Sequence, residues 1–493
     1  MPNQRRPNIL MLCTDQQRFD SLGCYGNPHA RTPNLDRLAA QGARFETCYV
    51  QNTVCSPSRA SLFTGKYPRN HGLWANGVAL PGHQRMFTRA LADAGYDCGM
   101  VGKQHLAACE GWVTEPRRDD GYRVFEWSHS PLNRSRQNAY QAWLRGRSPE
   151  TYKRLFPQEG DPGNPNNDNI AAVGLPIDQV DPELHYSHWI SERAIDFIET
   201  GRRDDEPFFL MANFFDPHHP FGAPEKYRSA FDRNALPLPK GYAADMADRP
   251  EGLRAYAERS QGGKSRGARH FREEELREVI ACYYAMVAQV DFEIGRILAA
   301  LEETGQADST LVIFTSDHGE MLGDHSTLLK GPMMYEGAVR VPLLMRWPGV
   351  IPEGGQIDDM VQWIDVTSTI LDASGIRNFS GEQGASLLPL IDGREEGRGW
   401  AFCEYRNSGN PAAKAMYTTM LREGDVKLIV WHGDPATAWQ HDGELYDLAR
   451  DPDELVNLYN DPAHGDLRER MTDRLLDTLC AIEDRSKPRE SNW

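Results

Sequence analysis

Thr310-Leu311-Val312-Ile313-Phe314-Thr315-Ser316 runs straight into Asp317-His318-Gly319-Glu320. A short apolar, β-branched run that ends abruptly in polar residues reads as a buried strand whose carboxyl end meets a ligand. Three other segments repeat the pattern. Asn8-Ile9-Leu10-Met11-Leu12-Cys13-Thr14 ends in Asp15-Gln16-Gln17. Cys98 to Val101 ends in Gly102-Lys103-Gln104-His105. Phe208-Phe209-Leu210-Met211-Ala212-Asn213 runs into Asp216-Pro217-His218-His219. Helical spacing separates them, at Thr32–Ala39, Met86–Ala94, Ser187–Thr200 and Glu274–Glu303. In the last of these Val279, Cys282, Tyr283, Met286, Val290, Ile294, Ile297 and Leu301 share one face. Strands alternating with helices predict a doubly wound α/β body with a mostly parallel sheet flanked by helices. Parallel strands end on one edge, so the four polar clusters converge there. Each cluster alone reads equally as a turn or a cap; four at equivalent positions do not.

Further along, Val341–Trp347 reads as a strand with Pro342 near its start, and Trp363–Ala373 as a helix. After about residue 395 the elements shorten: strands at Trp400–Glu404, Lys427–Val430 and Glu444–Leu448, then a helix over about Leu467–Ile482. The expectation is a catalytic α/β domain over 1–395 and a smaller C-terminal α+β domain over 396–493 with a short antiparallel sheet. Two stretches interrupt the body, near 127–185 and 222–270. The first contains Asp161-Pro162-Gly163-Asn164-Pro165-Asn166-Asn167, which forms no regular element. Both read as excursions over one face that set specificity, and such excursions favour a homo-oligomer.

The chain has 493 residues and a net charge of −17. That charge argues against nucleic acid and against anionic membranes as partners, while leaving room for a local basic pocket that takes a small anion. The apolar run Ile9–Cys13 is too short for a signal-peptide core, and no stretch reaches the length of a membrane span. Nine cysteines, odd in number and scattered, form no disulfide framework. A reducing cytoplasm is the expected compartment.

One more stretch concentrates chemistry: Val54-Cys55-Ser56-Pro57-Ser58-Arg59-Ala60-Ser61-Leu62-Phe63-Thr64-Gly65. Pro57 suits the first turn of a helix, which puts Cys55 at the positive end and Arg59 a turn further in. By itself Cys55 reads as a buried structural thiol. With the strand ends it completes a metal-assisted ester hydrolase. Asp15 and Asp317 supply hard oxygens, Gln16 a carbonyl and His318 an imidazole, a set suited to calcium, magnesium or manganese. Arg59, Lys103 and Lys330 neutralise a tetrahedral oxyanion, His105 and His218 transfer protons, and position 55 is the nucleophile.

The Cys55-Ser56-Pro57-Ser58-Arg59 core with Leu62-Phe63-Thr64-Gly65 resembles the signature of the type I sulfatases of the alkaline phosphatase superfamily. The resemblance extends to Pro7-Asn8-Ile9-Leu10 with Asp15, Gly102-Lys103-Gln104-His105-Leu106, His218 ahead of Pro220, Ser316-Asp317-His318-Gly319, Lys330-Gly331, and Leu445-Tyr446-Asp447-Leu448 with Pro452, Glu454, Asn457 and Leu458. It implies that a maturation enzyme oxidises Cys55 to formylglycine, whose hydrate attacks the ester and then releases sulfate by regenerating the aldehyde. It further implies that Asp15, Gln16, Asp317, His318 and the position-55 oxygen hold one divalent metal, calcium or manganese. Arg59 and Lys103 then hold the nucleophile and the charged group, His105 assists the eliminating step, and His218 and Lys330 protonate the leaving oxygen. Asn76 adds a hydrogen bond to the oxyanion. His325, just after the metal motif, reads equally as a second substrate contact or as a solvated loop histidine. Many sulfatases carry Asp where this chain has Gln16 and Asn where it has His318. The Asp-His pair is similar to that of choline sulfatases and of the phosphonate monoester hydrolases and phosphodiesterases. The expectations are therefore ordered: a formylglycine-dependent sulfatase acting on a sulfate monoester, a phosphonate monoester or phosphodiester hydrolase with the same nucleophile, and a non-catalytic anion-binding protein on this fold.

Overall fold

The computed structural model of the protein describes residues 6–156, 180–260, 265–406, 416–432 and 442–484. Its main sheet is built from β1 (Asn8–Thr14), β2 (Ala43–Tyr49), β3 (Asp97–Gly102), β4 (Val124–Trp127), β5 (Phe208–Asn213), β6 (Thr310–Ser316), β7 (Leu343–Arg346) and β8 (Gly355–Gln362). Their spatial order is β8-β2-β7-β6-β1-β5-β3-β4. β1 is parallel to β5 and β6, β3 to β4 and β5, and β8 to β2; β7 runs antiparallel to both neighbours, and a ninth, two-residue strand, Arg340–Val341, pairs antiparallel with β2. The sheet is thus mostly parallel, as expected.

Both faces of the central strands are covered, which is why their sequences are continuously apolar. The helices concerned are α1 (Pro33–Ala40), α2 (Cys55–Thr64), α3 (Tyr186–Asp196), α4 (Glu273–Glu303) and α5 (Trp363–Ala373). Leu10 and Leu12 of β1 join the core under α1, α3 and α4. Ile9, Met11 and Cys13 join the opposite core, under α2 and α5. Each fully buried side chain of this size contributes roughly 1.5–3 kcal/mol.

The register levels the strand ends. Cys13 pairs with Asn213, Thr14 with Ser316, and Gly102 with Asn213. Gly102 has φ +100°, and a Cβ there would lie 2.1 Å from the Asn213 carbonyl oxygen. Only glycine lets β3 close on β5 and turn Lys103 into the shared edge.

Several details depart from the sequence reading. β2 and β8 carry charged residues and partly exposed positions, so no apolar run marks them. The expected strand over Val341–Trp347 is split at Pro342: Arg340–Val341 pair with β2, and only from Leu343 does β7 pair with β6. Lys66–Gly72, whose sequence carries no helical spacing, holds a short helix, Pro68–His71, with Pro68 at its first position. Thr32 does not cap α1. Asp291 of α4 does so from across the core, accepting from the backbone N–H of Asn34 (3.2 Å) and Leu35 (2.8 Å).

Beyond the main sheet, β9 (Trp400–Arg406), β10 (Tyr417–Glu423), β11 (Val426–His432) and β12 (Asp442–Asp447) form an antiparallel meander, backed by helix α6 (Gly465–Ala481). This sheet shares a core with the body, in which Tyr49 and Val339 meet Met420 and Ile429. Buried Lys427 of β11 ties the two together, 3.0 Å from Glu336 and 2.7 Å from Glu454. The first excursion contains helices Ala139–Arg147 and Pro149–Leu155, and the second Glu225–Arg228 and Glu251–Glu258. The turn-rich segment 161–169 lies outside the described residues. Among the described residues no helix is long and apolar enough to cross a membrane.

Candidate active site

The carboxyl edge of the sheet gathers the chemistry. Asp15 follows β1, Asp317 and His318 follow β6, and Lys103 follows β3. α2 enters the same place. Val54 is extended at its N-cap, and the backbone N–H of Ser56 donates to Asn76 Oδ1 at 2.9 Å, so a borrowed side chain caps the helix. Gly65 at φ +67° ends it. Every residue of α2 is buried. Cys55 is thereby held at the positive end of a fully packed helix.

Around its sulfur the distances are short. Cys55 Sγ lies 3.2 Å from His318 Nε2, 3.6 Å from Asp15 Oδ1 and 3.0 Å from Lys330 Nζ. His318 Nε2 lies 3.7 Å from both Asp15 Oδ1 and Asp317 Oδ1. Ligand atoms of Asp15, Cys55, Asp317 and His318 all fall within 4.8 Å of one another. Nδ1–H of His318 donates to the Gly319 carbonyl at 2.8 Å, which leaves Nε2 and its lone pair facing the cluster. That is the second contact a metal-binding imidazole usually makes. The donor set of two carboxylates and one oriented imidazole fits a hard divalent cation.

Cations and carboxylates interlock behind the sulfur. Arg59, with no solvent exposure, donates to Asp317 Oδ2 at 2.8 Å and lies 3.4 Å from Asp15 Oδ2, and Lys103 pairs with the same Asp15 oxygen. Arg59 also donates to the Lys103 carbonyl at 3.1 Å. Burial pushes the Asp15 carboxyl up, but Lys103, His218, Lys330 and Arg59 outweigh it and hold it well below the usual carboxylate range. Burial raises Asp317 despite Arg59. Burial and Asp15 push the Cys55 thiol up, and Lys103, Lys330 and His318 overcome both, so it sits well below its ordinary value. Burial lowers His318, yet Asp317 and the Cys55 sulfur bring it out raised, the response of an imidazole in a field that attracts a cation.

Residues 7–376 match the family described as Sulfatase, and residues 323–480 match N-sulphoglucosamine sulphohydrolase, C-terminal. The chain belongs to the sulfatase family. It is 31% identical to the sulfatase YidJ of Escherichia coli (strain K12) over 97% of this chain and 88% of that protein. It is 30% identical to the multifunctional alkaline phosphatase superfamily protein PehA of Trinickia caryophylli, over 98% and 96%. Among solved structures, the phosphonate monoester hydrolase of Agrobacterium radiobacter superposes with a TM-score of 0.81 at 28% identity, covering 98% of this chain and 97% of that one. Membership makes the protein a sulfuric ester hydrolase with an alkaline-phosphatase-like fold.

Within this sulfatase the remaining predicted residues fall unevenly. His218 reaches the site: its Nδ1–H donates to the His219 carbonyl, and Nε2 lies 4.0 Å from Asp15 Oδ1. Gln16 is present with its N–H on Asp317 Oδ1 at 3.1 Å, while its side-chain amide donates to Glu320. His105 follows β3 and is nearly buried. Burial, Lys103 and Arg59 together hold its imidazole well below the ordinary value, hence neutral. Gln16 (φ +68°) and His105 (φ +64°) both occupy the left-handed region, a strain of about 1–3 kcal/mol each that marks functional edges. Asn76 serves first as the α2 cap. His325 is not brought to the cluster. Its ring stacks on Tyr335 at 3.8 Å, and its backbone N–H donates to the Lys240 carbonyl at 2.8 Å, so its place is in the packing against the second excursion.

Three residues that matter to the sulfatase site were given no role in the sequence reading: Glu320 and His219 stand there only as members of polar clusters, and Glu115 not at all. Glu320 holds the Gln16 amide while accepting backbone N–H groups from Leu322 and Leu329. His219 stacks on His218 at 4.2 Å, and its Nδ1 lies 3.3 Å from Gln16 Oε1. Glu115 accepts from the backbone N–H groups of His105 (2.9 Å) and Leu106, and from Trp127 Nε1 (2.9 Å). The first two neighbour motif residues in sequence, a signal that proximity alone provides. Glu115 sits in a loop without pattern, and nothing near it points to the site.

Proposed function

We propose that the protein is a formylglycine-dependent sulfatase that hydrolyses a small sulfate monoester. The observation that supports this most is the placement of Cys55. It opens α2, within the Cys-x-Pro-x-Arg motif, at the edge where Asp15, Asp317, His318, Lys103 and Lys330 meet. A maturation enzyme that reads Pro57 and Arg59 would convert this residue. Asp15, Gln16, Asp317 and His318 would hold one divalent metal, calcium or manganese, which acidifies the attacking hydroxyl and shields its charge. Formylglycine supplies a hydrated aldehyde as nucleophile, and the aldehyde's return gives sulfate an exit that a plain thiol lacks.

The chain's own side chains do the rest. Arg59 and Lys103 fix Asp15 and Asp317 and set a positive field for a tetrahedral anion. Lys330, 3.0 Å from the Cys55 sulfur, and His218, whose Nε2 lies 4.0 Å from Asp15 Oδ1, would protonate the leaving oxygen. His105, neutral in its buried setting, takes the proton in the second, eliminating step. Asn76 orients the helix start that presents the nucleophile. With nine free thiols, the cytoplasm is the proposed compartment.

The second reading is a phosphonate monoester hydrolase with the same nucleophile. The match to the Agrobacterium radiobacter enzyme favours it, as does the Asp317–His318 pair. Parallel kinetics on a p-nitrophenyl sulfate and a p-nitrophenyl phenylphosphonate separate the two. The first reading expects the larger kcat/KM for the sulfate; a far larger value for the phosphonate replaces it with the second.

A further inference from the structure

Beside the Cys55 centre lies a second donor set that the proposed reaction uses only in part. Ligand atoms of His105, Cys109 and His129 all fall within 4.8 Å of one another. The rings of His105 and His129 meet edge to face with centroids 4.4 Å apart. Cys109 carries a buried, free thiol. Nδ1 of His105 and Nδ1 of His129 are both buried with no hydrogen-bond partner. Buried polar groups are seldom left without a partner, because the lost hydration is then uncompensated. Two imidazoles, each with an unpartnered buried nitrogen and each offering a ligand atom close to one buried sulfur, point to a common ligand.

The frame around them is fixed. Glu115 clamps the backbone of His105 and the indole of Trp127, two residues before His129, so one carboxylate positions both histidine-bearing segments. Asn133 Nδ2 donates to the Cys109 carbonyl at 2.5 Å and anchors the third. Two imidazoles and a thiolate make a borderline-soft set. It suits zinc and not calcium or magnesium, unlike the oxygen-rich cluster at Asp15 and Asp317. Three protein ligands leave a fourth position for water.

We infer that His105, Cys109 and His129 form a zinc-class metal site next to the active centre, and that its occupation stops turnover by withdrawing His105. On binding, the Cys109 S–H bond breaks, its proton passes to solvent, and sulfur and the two nitrogens each donate a pair to the metal. No oxidant is needed. The binding stands on the geometry alone; the effect on turnover rests on the role proposed above for His105.

The test uses the matured enzyme, kept in excess manganese or calcium so that its first site stays filled. Zinc chloride is added, unbound metal is removed by gel filtration, and zinc per chain is measured for wild type, Cys109→Ala and His129→Gln. The wild type should retain one zinc more than either variant. Without zinc, both variants should match wild-type turnover and unfolding temperature. With zinc, the wild type should lose at least ~100-fold in kcat, the scale of a proton-transfer group, while the variants stay active. Equal zinc in all three proteins overturns the site. A zinc difference with equal inhibition overturns the switch. His129→Gln keeps the test decisive if removal of the buried Cys109 thiol impairs folding. Since zinc is counted without turnover, a chain that binds it through Cys109 yet cleaves no sulfate upholds the site while defeating the proposed function.

Discussion

Cys55 acquires its chemistry from its neighbours. A thiol buried in apolar surroundings titrates high, as Cys48 and Cys403 do. Cys55 is equally buried, but Lys103, Lys330 and His318 reverse the direction. Replacing it by Ala should remove turnover and leave the circular dichroism spectrum and unfolding temperature intact, because the helix it opens is capped by Asn76 and not by the thiol. Residual activity near wild type in that variant would remove Cys55 from the mechanism. His71 gives a pH prediction independent of the site. Its Nδ1 accepts the Leu73 N–H at 3.1 Å, so its proton sits on Nε2, 3.1 Å from Ser61 Oγ. Burial lowers the folded-state pKa from 6.5 to about 3. The unfolded chain therefore binds a proton that the folded chain refuses between these values, and stability falls as pH drops from 6.5 toward 3. The slope contributed approaches about 1.4 kcal/mol per pH unit. Urea midpoints measured across this range should show a shallower decline for His71→Gln than for wild type; parallel declines would contradict the assignment.

Elements are legible in the sequence where they are buried on both faces. β1, β5 and β6 are unbroken apolar runs, because helices cover them on both sides, and their polar ends single out Asp15, His218 and Asp317 from sequence alone. β2 and β8 are not legible, since half-buried Arg44 and Glu46 on β2 and exposed Asp358 and Asp359 on the edge strand β8 break up any apolar run. Pairing that depends on a distant partner is also silent: both halves of the strand split at Pro342 pair with β2, and only the half after Pro342 also pairs with β6. The cap of α1 belongs to the same class, since Asp291 lies on α4 and nothing in local sequence connects the two. Asp291→Ala should leave the N–H groups of Asn34 and Leu35 without a partner and cost about 1–3 kcal/mol, read from chemical denaturation. A change within a few tenths would show that water or Thr32 replaces the cap.

At the scale of the whole molecule, two sheets are fastened into one body. Lys427 is fully buried between Glu336 and Glu454, and its removal takes the shared cation from both: Glu336 keeps Arg340, Arg422 and Tyr49, while Glu454 loses its buried ion-pair partner. Lys427→Ala should destabilise the protein by about 3–5 kcal/mol, the cost of breaking a buried pair, with turnover per folded molecule preserved because the triad lies away from Cys55. A divalent metal held by Asp15, Asp317 and His318 would link stability to activity. Stripping divalent ions with a chelator should lower both, and manganese or calcium at ~100 times its Kd should return about 2.7 kcal/mol of stability. Unchanged unfolding after chelation would sever that link. The central claim is that this sheet edge works through an oxidised residue 55. The most direct test is peptide mass spectrometry across Val54–Gly65 in protein from its native host that turns over a sulfate ester. The account predicts a peptide in which Cys55 has lost its sulfur and two hydrogens and gained one oxygen, detectable as the aldehyde; an intact thiol at position 55 in fully active protein would contradict it.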